Sequence, residues 1–412
     1  MAVTVLIVDD SGFFRRRITE LIEKDGRLKL VGTATNGREA VRMCTDLKPD
    51  VVSMDVEMPD MNGIEAVKLI MRDCPTAILM LSSLTRQGAQ TTLKAIEAGA
   101  SDFLMKDIRS WTVSSNNNEF IERLVRLGRN PAIHPQKAKE RLAAQVNLGS
   151  NKPSPGATRA APPPVHSRSA PPVRGPMSSN VAQQPIQRPT QSSTVSRSAQ
   201  THSQVAAVSP AARAGGSKAA FPSQCRLVVI GSSTGGPAAL QQILTALPAN
   251  YPYPILLVQH MPKAFTSVFA ARLNQQCAVN VKEAEDGDML RPGMVLLAPG
   301  GHQMMVDPHR GDRVRIIESD ERVTYRPSVD ITYASAAKAL GNKVHAIILT
   351  GMGADGADGA RMLKRAGATM WAQNKESCTI YGMPQAVVNA GLADEIMNLE
   401  SIAENLARAA RR

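Results

Sequence analysis

The stretch Arg226-Leu227-Val228-Val229-Ile230-Gly231-Ser232-Ser233-Thr234-Gly235-Gly236-Pro237 reads as an apolar strand, a glycine-flanked turn and the opening of a helix. The strand is predicted over Arg226–Ile230 and the helix over Pro237–Leu247. A strand without polar alternation is buried on both faces, as in a parallel sheet covered by helices. Working outward, Ile255–Gln259, Met294–Ala298 and Ala346–Thr350 repeat the strand pattern, and Ala357–Ala366 repeats the helical one. Gly300–Ile317, rich in Gly, Pro and Asp, reads as an inserted hairpin. Far upstream the same alternation recurs: Val3–Val8, Asp50–Met54 and Ala77–Leu81 as strands, Gly63–Met71 and Ala89–Ala98 as helices. The expected fold class is therefore α/β, with two separate doubly wound parallel-sheet domains.

Between them the chain changes character. From about Pro131 to Phe221 it is dominated by Pro, Ser, Ala, Gln, Thr and Arg, a composition that cannot bury enough apolar surface to fold. The expected divisions are 1–128, a flexible linker at 129–221 that begins with a short helix over Gln136–Leu148, and 222–412. The linker also explains the charge. Of the net +12, the segment between Pro131 and Pro222 carries +10, with eleven Lys and Arg against the single acid Glu140. A compact basic recognition helix is not indicated, so no nucleic-acid partner is expected. The N-terminus runs straight into an apolar strand without an export signal, and no apolar run is long enough to span a membrane. A cytoplasmic chain without membrane insertion is the expectation. The five cysteines are far apart and never in a C-x-x-C pair, which suits reduced buried thiols.

Chemistry gathers at the carboxyl edge of parallel sheets. In the second half, the turn after Arg226–Ile230 fits G-x-S-x-G centred on Ser233, a geometry that projects a hydroxyl at the sheet edge. A phosphate-binding loop is the rival, but no lysine follows the glycines. A serine nucleophile needs a base. His134, His166 and His202 lie at or in the linker, His302 and His309 lie in turns, and His345 begins a strand at the wrong edge; His260 alone ends a strand. The acid that orients the imidazole is best supplied by Asp355, at the edge reached after Ala346–Thr350, with Asp358 as competitor. The order Ser, His, Asp differs from that of α/β-hydrolases and points to a distinct, Rossmann-like doubly wound fold.

In the first half Asp9 and Asp10 close one strand and Asp55 closes another. Carboxylates so crowded repel one another unless a cation neutralises them, and an all-oxygen set suits Mg²⁺. Asp55 is then a phosphoryl acceptor, Ser82 a hydroxyl for a phosphoryl oxygen, and Lys106 a cation for the same group.

These residues carry a resemblance. Val8-Asp9-Asp10-Ser11, Met54-Asp55-Val56-Glu57-Met58-Pro59 and Asn62-Gly63 resemble the response-regulator receiver family, a flavodoxin-like fold. Gly231-Ser232-Ser233-Thr234-Gly235-Gly236, Gln259-His260-Met261-Pro262, Ala298-Pro299-Gly300-Gly301, Arg326-Pro327-Ser328-Val329-Asp330 and Leu349-Thr350-Gly351-Met352-Gly353 resemble the protein-glutamate methylesterases of bacterial chemotaxis. The resemblance implies Mg²⁺ held by Asp10, Asp55 and the carbonyl of Glu57, with Asp9 assisting, and phosphate taken by Asp55 from a histidine kinase. It implies hydrolysis of glutamate γ-methyl esters on the cytoplasmic domains of chemoreceptors, with deamidation of receptor glutamines, by Ser233, His260 and Asp355. Thr234 and Met352 are the expected oxyanion or orienting residues, and no metal is expected in that half. The contrasting readings are a scaffold built on an inactive esterase domain and a regulator with a DNA-binding output. The second would need a basic helix-turn-helix after the linker.

Overall fold

The computed structural model describes residues 2–106, 114–130, 221–320 and 322–411. Most of the predicted linker, including the helix expected over Gln136–Leu148, lies outside the described residues.

The first sheet is built from β1 (Val3–Val8), β2 (Leu28–Ala34), β3 (Val51–Asp55), β4 (Ala77–Ser82) and β5 (Asp102–Met105). They run parallel in the order β2-β1-β3-β4-β5, the flavodoxin-like arrangement. Between them lie α1 (Gly12–Glu23), α2 (Gly37–Leu47), α3 (Gly63–Asp73) and α4 (Arg86–Glu97), and α5 (Ser114–Gly128) follows. Local sequence sets these starts. Asn36 and Asn62 accept the backbone N–H groups of Glu39 and Glu65 and so cap α2 and α3. The strand expected over Asp50–Met54 is shifted by one residue, because Asp50 instead accepts hydrogen bonds from both the N–H and the hydroxyl of Thr4.

The second sheet has seven parallel strands: β6 (Leu227–Ser232), β7 (Ile255–Gln259), β8 (Asn280–Glu283), β9 (Met294–Leu297), β12 (Val344–Ile348), β13 (Thr369–Gln373) and β14 (Glu395–Met397). The expected hairpin is present as the antiparallel pair β10 (His302–Val306) and β11 (Val314–Glu318). The covering helices are α6 (Gly236–Thr245), α7 (Lys263–Gln276), α8 (Val329–Leu340), α9 (Ala357–Arg365), α10 (Met383–Asn389) and α11 (Leu399–Ala409). In the order β14-β13-β12-β6-β7-β9-β8 the neighbours β12, β6 and β7 are central. The strand expected over Ala346–Thr350 starts and ends two residues earlier. Thr350 leaves the ladder because its N–H donates to Gln373 Oε1 at 2.8 Å and its hydroxyl donates to the carbonyl of Thr234 at 2.9 Å.

The two sheets share a packed seam. Phe103 of β5 stacks on Phe265 of α7, centroids 4.6 Å apart, and Glu97 of α4 accepts from Arg272 and Gln276 of α7. Both ends of the expected linker also belong to the fold. Asn130 donates to the carbonyl of Thr379 at 3.0 Å, and Phe221 is buried 4.9 Å from the ring of His345.

His345 is fully buried in β12, edge-on to Trp371, and burial pushes its pKa down to about 3. The unfolded chain, with an ordinary imidazole near 6.5, binds a proton through the interval in which the folded chain does not. Stability contributed by the neutral ring is therefore complete above about pH 6.5 and falls as the pH drops toward 3. Relative to a His345→Leu variant, wild type should lose about 2 kcal/mol between pH 7 and pH 5 in urea unfolding. Parallel pH curves for the two would mean that the folded chain protonates this ring as readily as the unfolded one.

Candidate functional site

Strand β6 ends at Ser232 and the chain turns through Ser233 and Thr234 into α6, as the glycine-flanked motif requires. Gly235 sits at φ +77°, and a Cβ there would strike Thr379. The neighbouring β7 delivers Gln259 and His260. The Gln259 amide donates to the carbonyls of Ser233 and His260, each at 3.0 Å, and accepts the Ser232 hydroxyl at 2.7 Å. One buried side chain thus ties the serine turn to the histidine, and Gly236 is small because its Cβ would collide with that amide.

Asp355 reaches this edge from the loop after β12. Its Oδ2 lies 2.7 Å from His260 Nε2 and accepts the N–H of Val329 at 2.7 Å. Its Oδ1 accepts the hydroxyl of Ser328 at 2.9 Å and the N–H of Asp330 at 3.1 Å. The carboxylate sits on the N-terminus of α8, where the helix dipole favours negative charge. Burial alone would raise its pKa; the His260 hydrogen bond and charge and the two N–H donors outweigh burial and hold it below the usual value. Asp330 is the opposite case, raised to about 6 by burial and by the adjacent Asp355 charge despite the N–H of Gly359. Asp358 is exposed at the start of α9 and pairs with Arg361, so it is not the partner of His260.

The Nε2–Asp355 contact leaves Nδ1 of His260 buried with no hydrogen-bond partner among the described residues. Nδ1 is thus the ring nitrogen left available to a further partner. Ser233 is 6% exposed, and among the described residues no hydrogen bond joins its hydroxyl to His260. Catalytic contacts of this kind often tighten only with substrate bound. The N–H groups of Thr234 and Met352 donate to no acceptor among the described residues. Thr234 Oγ1 is buried without a hydrogen-bond partner among the described residues. A cleft of about 630 Å³ joins Ser233, His260 and Tyr325 of the second sheet's domain to Asp102, Phe103 and Arg123 of the first.

At the carboxyl edge of the first sheet, carboxylate oxygens of Asp9, Asp10 and Asp55 lie within 4.8 Å of one another. Lys106 bridges two of them, with Nζ 2.9 Å from Asp9 Oδ2 and in close contact with Asp55. Burial, partly offset by Lys106 and reinforced by Asp9, raises the Asp55 pKa to about 6. The carbonyl of Glu57 accepts no hydrogen bond among the described residues. Crowded carboxylates and a free carbonyl are the donor set of a hard divalent cation, so these residues fit Mg²⁺. Ser82 ends β4 with its hydroxyl fully buried among Thr92 and the carbonyls of Gly88 and Ser83, so it would have to turn to meet a phosphoryl group.

Several residues of the site carry no sequence-level signal of their own. Gln259 could have been suspected from its place beside His260, and Ser328 and Asp330 from the Arg326–Asp330 string. Tyr325, stacked on His260, belongs to no periodic pattern.

Known proteins resemble both halves of the chain. The response regulator receiver domain model matches residues 5–115, and the CheB methylesterase model matches 228–406. Protein-glutamate methylesterase/protein-glutamine glutaminase 1 of Pseudomonas aeruginosa is 52% identical over 99% of this chain and 100% of its own length. The protein of that name in Vibrio cholerae is 48% identical over 98% of each chain. The crystal structure of the Thermotoga maritima CheB methylesterase catalytic domain is 43% identical, covering 45% of this chain and 98% of that one, with a TM-score of 0.43. Sheet, serine turn, acidic edge and near-complete alignment lead to one assignment: the chain belongs to the CheB methylesterase family and carries a response-regulator receiver domain ahead of its esterase domain.

Proposed function

We propose that this chain is a phosphorylation-activated serine esterase that hydrolyses glutamate γ-methyl esters on chemoreceptors and deamidates receptor glutamines. The observation that carries the reading is the His260–Asp355 pair, poised beside Ser233 in a cleft the receiver helps to wall. Ser233 Oγ attacks the ester carbonyl carbon while its proton passes to His260 Nδ1. The oxyanion is met by the N–H groups of Thr234 and Met352. The C–O bond to methoxide then breaks, His260 returns the proton, and methanol leaves a glutamyl ester on Ser233. Water repeats the sequence, His260 taking its proton, and releases the glutamate carboxylate. A glutamine follows the same course with ammonia as leaving group. Asp355 stays ionised throughout, holding Nε2–H and leaving Nδ1 as the base.

In the receiver, Asp55 takes the phosphoryl group from a histidine kinase. Asp10, Asp55 and the Glu57 carbonyl, assisted by Asp9, would hold Mg²⁺, which supplies charge neutralisation at the transferring phosphoryl. Lys106 is paired with Asp55 before transfer and answers the new charge after it. The Phe103–Phe265 stack keeps the receiver across the cleft in the unphosphorylated chain.

The test is methanol release from methylated receptor membranes, with and without a small phosphodonor, in wild type and Asp55→Asn. Wild type should accelerate with phosphodonor and Asp55→Asn should not; no release from wild type under either condition would leave the inactive scaffold as the better reading. Phe103→Ala removes the buried ring from the seam, at a cost of about 3 kcal/mol. It should raise the basal rate several-fold and shrink the response to phosphodonor. A basal rate equal to wild type would mean that the seam does not restrain the cleft.

A further inference from the structure

We propose that Tyr325 is a positioning residue for the base: its ring clamps the imidazole of His260 and favours the imidazolium that forms when Ser233 gives up its proton. The inference rests on the roles of Ser233, His260 and Asp355 given above and adds a residue to them. The two rings are stacked, centroids 4.2 Å apart and planes 8° from parallel. Tyr325 lies in the loop before α8 and lines the cleft.

Two features hold it there. Gln303 donates to the carbonyl of Tyr325 at 2.8 Å, and the same amide accepts the N–H of Ser328 at 2.8 Å. The loop that carries the stacked ring is thereby fixed to the segment that cradles Asp355. Gly353, at φ +89°, leaves room on the other side, since a Cβ there would lie 2.7 Å from the Tyr325 hydroxyl oxygen. The glycine that ends the Leu349–Gly353 string is thus matched to an aromatic residue far away in sequence.

The physical need is clear from the geometry of His260. Its Nε2 is tied to Asp355, but one hydrogen bond leaves the ring free to rock about that contact. A flat ring against its face removes this freedom and keeps Nδ1 aimed into the cleft. The aromatic face also attracts the positive charge that the imidazole gains during the reaction. Glu119 and Arg123, from α5 of the receiver, line the same cleft as Tyr325. Burial and the Asp355 charge raise the phenol pKa, so the ring stays neutral.

The experiment uses the full chain with phosphodonor and methylated receptor membranes, comparing wild type, Tyr325→Phe, Tyr325→Leu, Tyr325→Met and Ser233→Ala. Tyr325→Phe should keep kcat within about 2-fold. Tyr325→Leu and Tyr325→Met should lose about 10-fold in kcat with KM unchanged, between what an exposed and a desolvated cation–π contact supply. Wild-type kcat in the Leu and Met variants, a loss confined to KM, or a Phe variant as damaged as Leu each overturn the proposal. A variant lacking a cooperative thermal transition is set aside and the other of the Leu and Met pair decides. If Ser233→Ala retains the wild-type rate, the esterase reading itself falls; if Ser233→Ala is inactive and Tyr325→Leu is not, only the role of Tyr325 falls.

Discussion

Replacing Ser233 by Ala is expected to lower methanol release by about 10,000-fold or more while leaving the thermal midpoint of unfolding within a degree or two of wild type. The asymmetry follows from the site. Among the described residues the Ser233 hydroxyl has no structural hydrogen bond, so removing it orphans nothing, whereas the proposed reaction loses the hydroxyl that attacks the ester. Its neighbour provides the contrast. The Ser232 hydroxyl accounts for one of the bonds that hold Gln259, so Ser232→Ala should loosen the turn and cost far less activity. A Ser232→Ala loss equal to that of Ser233→Ala would show that turn geometry had been mistaken for chemistry.

Asp355→Asn should cost about 1,000- to 10,000-fold in kcat, and here stability should fall as well. Four donors converge on the two carboxylate oxygens: the His260 ring, the Ser328 hydroxyl and the N–H groups of Val329 and Asp330. An amide offers one acceptor oxygen and turns an NH₂ group toward donors it cannot serve. If that NH₂ faces His260, Nε2 must become the acceptor and Nδ1 must carry the proton, which leaves no base facing Ser233. If it takes the place of Oδ1 instead, the N–H of Asp330 loses its partner, at about 1–3 kcal/mol. Raising the pH restores neither arrangement. Kinetics from pH 6 to 9 together with urea unfolding would check this; an Asn variant whose activity recovers at high pH would contradict the tautomer argument.

The sheet architecture was legible because parallel strands buried on both faces are written as unbroken apolar runs, and Val3–Val8 and Ile255–Gln259 were read with their observed limits. Short edge strands such as Glu395–Met397, and the half-exposed Leu28–Ala34, have no such run and were not read. Ends were misread where side chains replaced the ladder, as Thr350 and Asp50 do. The placement of Ser233, His260 and Asp355 at one sheet edge is legible because each follows a strand that the periodicity marks. Gln259, Ser328 and Tyr325 act through contacts made across the fold, which spacing along the chain does not encode. The Ser82 hydroxyl shows the converse: its place at the strand end was right, but the acceptor beside it in α4 decides where it points.

The short strand β5 has two ends with different neighbours. Phe103 lies against Phe265 of the esterase domain, and Lys106, just past the other end, is bound to Asp55. Two residues, Leu104 and Met105, separate them, so the extended backbone spans about 10 Å. A message from the acidic edge to the seam therefore needs no route through the core, because a rigid rod already touches both. Such a rod also limits how the protein can change over generations. Any substitution that shifts β5 alters the grip on Asp55 and the hold on the cleft at once, so sensitivity to the incoming signal and leakiness in its absence are inherited together.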